Sequence, residues 1–130
     1  MSLDRITQLI EKKIGRNNLD THLYEIIDVV IDDSGVSKSY TVKTIPAGYE
    51  YDISYFMAYA KADTEVTAMK VDDLDTGFYA AGTYAELNLK NYFGDFVTAK
   101  NTIKITAKST SGNEETRSFV IYCKKRVKSW

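Results

Sequence analysis

The chain has very few of the residues on which most catalytic and metal sites depend. It contains one cysteine and one histidine in 130 residues. A single cysteine forms no intrachain disulfide, so oxidative folding is not expected. His22 and Cys123 fall in separate predicted strands, and we expect no Cys/His nucleophile pair. A glycine-rich phosphate loop, a His/Cys metal spacing and a Gly-x-Ser-x-Gly motif are also missing from the sequence. We therefore expect no enzyme and no cofactor.

Charge and hydrophobicity restrict the partners. Seventeen basic and eighteen acidic residues leave a net charge of −1, which gives no long-range attraction toward nucleic acid or anionic lipid. No segment approaches the roughly 20 apolar residues of a membrane-spanning helix. Charges interrupt the first residues, which predicts no signal peptide. We expect no nucleic acid and no membrane as partner, and synthesis and retention in the cytoplasm or release by lysis.

Residues 1–18 predict a short amphipathic helix followed by a linker. Five apolar residues recur at a spacing of three to four and share one helical stripe: Leu3, Ile6, Leu9, Ile10 and Ile14. Ser2 suits the N-cap and Gly15 the C-terminal stop. A helix of about twelve residues is marginal alone. We expect the stripe to dock, either on its own domain or on a second copy or larger assembly.

Residues 19–130 predict one β-sandwich domain. The candidate strands are residues 23–31, 36–45, 49–61, 64–71, 78–79, 84–89 and 93–97, followed by the closing pair. The first two runs predict one hairpin, and residues 49–61 and 64–71 predict another. About seven or eight short strands separated by turns predict an all-β fold of two antiparallel sheets.

The closing pair of strands shows the clearest alternation. Apolar residues share one face of each strand: Ile103, Ile105 and Ala107, then Phe119, Ile121 and Cys123. Ser111-Gly-Asn113 between them tolerates the positive φ of a tight turn. We expect a hairpin, with Cys123 as a small core residue.

Tyrosine is the most conspicuous residue type, with ten copies. In the longest predicted strand, one parity holds Tyr49, Tyr51, Ile53, Tyr55, Met57 and Tyr59. Two interpretations stay open: this parity is the core face, or it is a contact surface for a sugar or a partner protein. The candidate contact residues outside this strand are Tyr79, Tyr84, Tyr92 and Trp130.

Two charged segments are weaker candidates. Asp72, Asp73 and Asp75, closed by Gly77, place carboxylates in one loop, as calcium prefers. No glutamate closes this loop, so a solvated turn is favoured over a metal site. The basic residues between Lys124 and Trp130 predict a solvated, frayed end, with phosphate contact as the alternative.

The closing segment, Asn101-Thr-Ile-Lys-Ile-Thr-Ala-Lys, Ser111-Gly-Asn113 and Ser118-Phe-Val-Ile, resembles the last two strands of bacterial and phage immunoglobulin-like domains. Ile45-Pro-Ala-Gly-Tyr49 is similar to the strand-opening turn of phage β-sandwich virion proteins. A helix ahead of a sandwich, without a signal peptide, resembles the layout of small phage head or tail accessory proteins.

These resemblances imply an immunoglobulin-like sandwich and a non-enzymatic accessory protein of a bacteriophage virion: a capsid decoration, head-fibre or tail subunit. The implied partners are copies of itself and other virion proteins, and the implied location is the virion, assembled in the host cytoplasm. The alternative is a module that binds carbohydrate or a cell surface, such as a host-surface glycan, through exposed tyrosines.

Overall fold

A computed structural model describes residues 22–128 of the chain. Its two antiparallel sheets pack face to face. Sheet A consists of β1 (His22–Ile31), β10 (Glu115–Val127), β3 (Tyr49–Tyr59), β7 (Ala85–Asn88) and β8 (Val97–Ala99). Sheet B consists of β2 (Lys38–Thr44), β9 (Thr102–Ser109), β4 (Thr64–Val71), β5 (Leu74–Asp75) and β6 (Ala80–Ala81). The prediction of an all-β sandwich is confirmed. The predicted helix in residues 1–18, the domain boundary after it and Trp130 lie outside the described residues.

The strand order differs from the predicted immunoglobulin-like order. Sheet A runs β1-β10-β3-β7, with β8 also on β3, and sheet B runs β2-β9-β4-β5, with β6 also on β4. In an immunoglobulin sandwich the first two strands share a sheet, and so do the last two. Here β1 and β2 lie in opposite sheets, and so do β9 and β10. Counting β5 with β6 and β7 with β8, there are eight strand positions, and every pair of successive positions lies in opposite sheets except β4 and β5/β6, which share sheet B. This is a jelly-roll arrangement.

This order corrects all three predicted hairpins. The long strands β1, β3 and β10 each cross to sheet B or arrive from it, instead of pairing with their neighbour in sequence. The predicted turn residues are present, since Gly112 has φ of +81° between β9 and β10, but the chain there crosses from one sheet to the other. Alternation of apolar and polar residues predicts which face of a strand is buried, and it carries no information about the partner strand.

The core lies between the sheets and is built from the inner faces predicted for the closing strands. Ile103, Ile105 and Ala107 of β9 are buried, and so are Phe119, Ile121 and Cys123 of β10. The ring of Phe56 stacks on Phe119 at 5.4 Å between centroids and meets Phe78 edge-on at 4.9 Å. Burial of these aromatic and branched side chains holds the sheets together.

A short helix, α1 (Leu89–Phe93), interrupts the region where only strands were predicted. The Asn88 side chain accepts a hydrogen bond from the backbone N–H of Asn91 at 3.0 Å, as an N-cap does. Gly94 ends the helix in the left-handed conformation, with φ of +81°. Leu89 is buried and anchors α1 to the core.

Candidate functional site

The outer surfaces of the two sheets differ in character. The outer face of sheet B is polar, with Lys104, Thr106 and Lys108 along β9 and Lys70 of β4 directly opposite Lys104. Sheet A instead carries apolar and aromatic side chains on its outer side, which we call the outer aromatic face: Tyr24, Ile26, Tyr55, Met57, Val120 and Tyr122. Tyr24, Ile26 and Tyr122 are exposed, Tyr55 and Met57 are half-buried, and Val120 between them is buried. Exposed apolar and aromatic surfaces are more often interaction sites than polar surfaces are.

Strand register places the outer aromatic face in two cross-strand rows. Tyr24 of β1 lies opposite Tyr122 of β10, which lies opposite Tyr55 of β3. In the next row Ile26, Val120 and Met57 occupy the equivalent positions. The centroid of the Tyr122 ring is 5.7 Å from that of Tyr24 and 5.4 Å from that of Tyr55. Cross-strand aromatic pairs of this kind hold one another in place.

A bulge in β3 explains why Tyr51 lies on the inner face of the strand and Tyr55 and Tyr59 lie on the outer face. The register between β3 and β10 shifts between the Tyr122–Tyr55 and Cys123–Ile53 pairs, so Ser54 has no opposite residue. An extra residue reverses the parity of a strand. Tyr51 therefore points into the core, where it is buried, while Tyr55 and Tyr59 point outward. The core interpretation therefore holds for Tyr51, and a contact role for Tyr55 and Tyr59 stays a prediction.

Tyr55 is fixed at the border of the face. Its hydroxyl donates a short hydrogen bond to Oε2 of Glu86 in β7. This hydrogen bond and partial burial raise the pKa of Tyr55 to about 12. Tyr84 lies beside Met57, Ala85 and Glu86 and extends the aromatic surface past β7.

The predicted contact residues do not gather into one site. Tyr79, Tyr84 and Tyr92 are exposed by 55%, 62% and 70%. The Tyr79 hydroxyl donates to Glu65 at 3.2 Å on the sheet B side, and this hydrogen bond raises its pKa. Tyr92 contacts Phe93, with 4.9 Å between ring centroids. Only Tyr84 adjoins the outer aromatic face. A contact role for all three tyrosines stays a prediction.

Strand β1 and Tyr122 are not predicted from the sequence to be parts of a contact surface. The missed signal is that β1, His-Leu-Tyr-Glu-Ile-Ile-Asp-Val-Val-Ile, is apolar on both parities. A strand with one solvated face normally alternates. Tyr24, Ile26 and Val30 occupy the outer parity and are exposed by 60%, 55% and 52%.

The candidate calcium loop serves a structural purpose. Asp72 accepts hydrogen bonds from the backbone N–H groups of Lys100, Asn101 and Thr102 at 3.0, 2.8 and 3.1 Å. Asp75 accepts one from the N–H of Gly77 at 2.9 Å. Among residues 22–128, no group of three or more His, Cys, Asp or Glu side chains is placed to hold a metal ion.

The described part of the basic C-terminal segment belongs to β10 as far as Val127, instead of a frayed end. Arg126 forms an ion pair with Glu50 at 2.6 Å and another with Asp52 at 2.8 Å. Lys125 pairs with Glu25 at 3.3 Å, and its Nζ lies 5.2 Å from the centroid of the buried Tyr51 ring. These cations are therefore engaged by the sandwich itself.

The other predicted chemical group, Cys123, is buried in the core. Burial, and next the nearby Glu25 carboxylate, raise the pKa of its thiol to about 11. A thiol in this state is a poor nucleophile. Over the described part of the chain, no helix has both the length and the apolar character required to cross a membrane.

Fold and surface together define an antiparallel two-sheet sandwich with an exposed aromatic sheet face. No protein-family model matches the chain, and neither does any curated protein. Solved structures to which the chain is similar include two viral particles.

One is the virus-like particle of extra small virus from the giant freshwater prawn Macrobrachium rosenbergii, with 17% identity, a TM-score of 0.39 and coverage of 78% of this chain and 79% of that one. The other is the acid-stable capsid of Helicobacter pylori bacteriophage KHP30, with 12% identity, a TM-score of 0.40 and coverage of 85% and 96%. Similarities at this level assign no role.

Proposed function

We propose that the protein is a structural subunit of a virus particle that acts through protein–protein assembly and performs no catalysis. The observation that carries the proposal is the outer aromatic face, an apolar surface that extends across β1, β10 and β3 of sheet A. Interface centres are rich in tyrosine and methionine and poor in charge, as this face is. The outer face of sheet B, with Lys70 and Lys104, has the composition of a solvated surface.

The jelly-roll arrangement supports the class of protein by analogy. Viral capsid domains and lectins both use it, and a fold alone does not define a function. The finer proposal is an accessory role in a bacteriophage: a capsid decoration, head-fibre or tail subunit in contact with itself and with other virion proteins. The protein would then be located in the virion after assembly in the host cytoplasm.

Particle composition tests this role. Mass spectrometry of purified particles of the virus that carries the gene should find the chain as a regular component. Its absence from the particles would overturn the proposal. The genes beside it provide a further check, because capsid, portal or tail genes are expected there.

Matched substitutions test whether the outer aromatic face is the surface used. Tyr122→Lys places a charge in the centre of the face, and incorporation into particles should fall strongly. Thr106→Lys adds the same charge on the outer face of sheet B, where lysines already lie, and should leave incorporation unchanged. Equal incorporation of the two variants would exclude this face as the attachment surface.

Carbohydrate binding is the second candidate. The observation in its favour is the high exposure of Tyr84 and Tyr92, because sugar rings pack on exposed aromatic side chains. A glycan array should then show binding that is lost in Tyr84→Ala or Tyr92→Ala, with Tyr49→Ala as an exposed-tyrosine control. An array with no binding removes this candidate.

A further inference from the structure

Strand β1 is unlike the other edges of the two sheets. Its ten residues pair with β10 without a register shift, and in the described part of the chain no strand pairs with its other side. The neighbouring edge of sheet B, β2, carries Lys38 and Lys43 and has a register shift between Thr41 and Lys43. The remaining edge strands, β5 to β8, are two to four residues long.

Natural sheets protect their edges with lysine, proline, bulges or very short strands, because an open edge pairs with other strands. Strand β1 has no lysine, no proline and no bulge, and it is ten residues long; its one protective feature is the inward-pointing charge of Glu25. Its two acidic residues are already engaged. Glu25 points inward and forms ion pairs with Lys43 at 3.4 Å and Lys125 at 3.3 Å, while Asp28 accepts a hydrogen bond from the Ser118 hydroxyl at 2.6 Å. The edge is therefore long, regular and largely apolar.

We propose that β1 pairs antiparallel with β1 of a second copy of this chain, about a two-fold axis through Ile26. Two copies of sheet A then form one continuous sheet. Backbone hydrogen bonds along the edge supply affinity, as in other strand-addition complexes. This inference does not depend on a role in a virus particle.

The distribution of charge selects the second copy and the register. Directly opposite residues in an antiparallel pair lie on the same face, so the axis passes through a residue and not between two. An axis through Glu25 would place this carboxylate opposite its own copy, and an axis through Asp28 would do the same there. Like charges directly opposite one another are destabilising. An axis near the centre of His22–Ile31 pairs the most residues of the two strands, and of the central positions between Glu25 and Asp28 only Ile26 and Ile27 remain.

Ile26 fits better than Ile27. An axis through Ile26 places Asp28 opposite Tyr24 of the partner subunit, which offers a hydroxyl. An axis through Ile27 places Asp28 opposite an isoleucine and Glu25 opposite a valine. The first arrangement leaves fewer carboxylates against aliphatic side chains. It also brings the exposed Tyr24 and Ile26 of both copies together, so that the outer aromatic face continues across the axis.

Cysteine cross-linking of the full chain tests the pairing and its register. Ile26→Cys places a thiol on the proposed axis, and mild oxidation should convert most chains to a covalent dimer. Ser39→Cys, an exposed position on edge strand β2, is the matched control and should give little dimer. The native Cys123 is 4% exposed and does not contribute. A Tyr24→Cys/Asp28→Cys double variant should cross-link between copies, and Tyr24→Cys/Val30→Cys should not.

Sedimentation velocity supplies the second measurement, with circular dichroism to verify folding. The unmodified chain should sediment as a dimer, and Ile26→Lys as a monomer, since two ammonium groups would meet at the axis. A chain that stays monomeric, with equal cross-linking of Ile26→Cys and Ser39→Cys, overturns the proposal; coverage of the edge by residues 1–21 of the same chain would give that result. A dimer in which Ile26→Cys does not cross-link also overturns it, since the contact then lies elsewhere.

Discussion

The ring of Tyr122 meets the ring of Tyr55 edge-on, with the planes at 87° and the centroids 5.4 Å apart. Tyr24 adds a third ring on the other side of Tyr122. The three side chains come from three adjacent strands of sheet A and restrict one another's rotation. An aromatic surface that is ordered before contact loses little conformational entropy when a partner binds.

The hydrogen bond between Tyr55 and Glu86 predicts a late-titrating phenol. The folded pKa of Tyr55 is raised to about 12, above the ordinary value of about 10. A raised pKa means that the neutral phenol is favoured in the fold. The contribution of the Tyr55 phenol to the free energy of unfolding is fully present below a pH of about 10 and is lost as the pH rises through about 12.

Ultraviolet titration of phenolate formation measures this effect. One tyrosine of the native protein should ionise at about pH 12, and Glu86→Gln should move that midpoint toward lower pH. Tyr55→Phe should delete the late step and leave the other tyrosines unchanged. A late step that survives in Tyr55→Phe would show that another residue produces it.

The buried Cys123 predicts a thiol that reacts only after unfolding. Its pKa is about 11 against an ordinary 9.0, which reduces the thiolate fraction near neutral pH by about 100-fold. Burial reduces the rate further by blocking access. Alkylation with iodoacetamide should be slow in the native protein and fast in denaturant. In Ser39→Cys, one rapidly reacting thiol should appear in the native state, and rapid alkylation without that substitution would contradict the burial of Cys123.

Asp72 predicts a local stability effect at the turn between β4 and β5. Its carboxylate accepts three backbone hydrogen bonds from residues 100–102, so Asp72→Ala should lower the free energy of unfolding by about 2 kcal/mol. Asp72→Asn retains one acceptor and should cost less. The adjacent Asp73→Ala is the control, with a change below about 0.5 kcal/mol. Denaturant unfolding measures all three, and equal losses for Asp72→Ala and Asp73→Ala would refute the role of this carboxylate.

Substitution of Arg117 should lower the free energy of unfolding more than substitution of Asp72, because Arg117 is fully buried. Its guanidinium donates hydrogen bonds to the carbonyls of Ala62 and Thr83, which joins the loops after β3 and before β7. Arg117→Ala leaves a cavity and unpaired carbonyls, for a cost of about 3 kcal/mol in unfolding free energy.

The surface residue Arg126 is the control for Arg117. It is 35% exposed and has two acidic partners. Arg126→Ala should cost less than Arg117→Ala, about 1–2 kcal/mol, because solvent reaches the guanidinium although its partners Glu50 and Asp52 are largely buried. Chemical denaturation that ranks Arg126→Ala above Arg117→Ala would contradict this account of the buried guanidinium.

The sequence predicted the sandwich and the inner faces of its last two strands correctly, because both depend on local alternation. It predicted the pairing of those strands incorrectly. Ile105 and Phe119 face the core whether β9 and β10 form a hairpin or lie in opposite sheets. The alternation of apolar and polar residues is therefore the same for both arrangements. The difference depends on contacts between residues far apart in the chain.

The outer aromatic face was also beyond local reasoning. The bulge at Ser54 reverses the parity of β3 halfway along, and no glycine or proline marks it. Tyr51 and Tyr55 therefore share a parity in the sequence and lie on opposite faces in the sandwich. The contacts of Tyr55 with Tyr122 and Glu86 arise from strands that are distant in sequence.

The position of β10 between β1 and β3 has a consequence for folding. The centre of sheet A is occupied by β10, the last described strand along the chain, which pairs with β1 and β3. During synthesis on a ribosome, β1 and β3 emerge long before the strand that joins them. Folding dominated by such distant pairings is slow, so nascent chains would remain open, and vulnerable to aggregation, until residues 115–127 have left the exit tunnel.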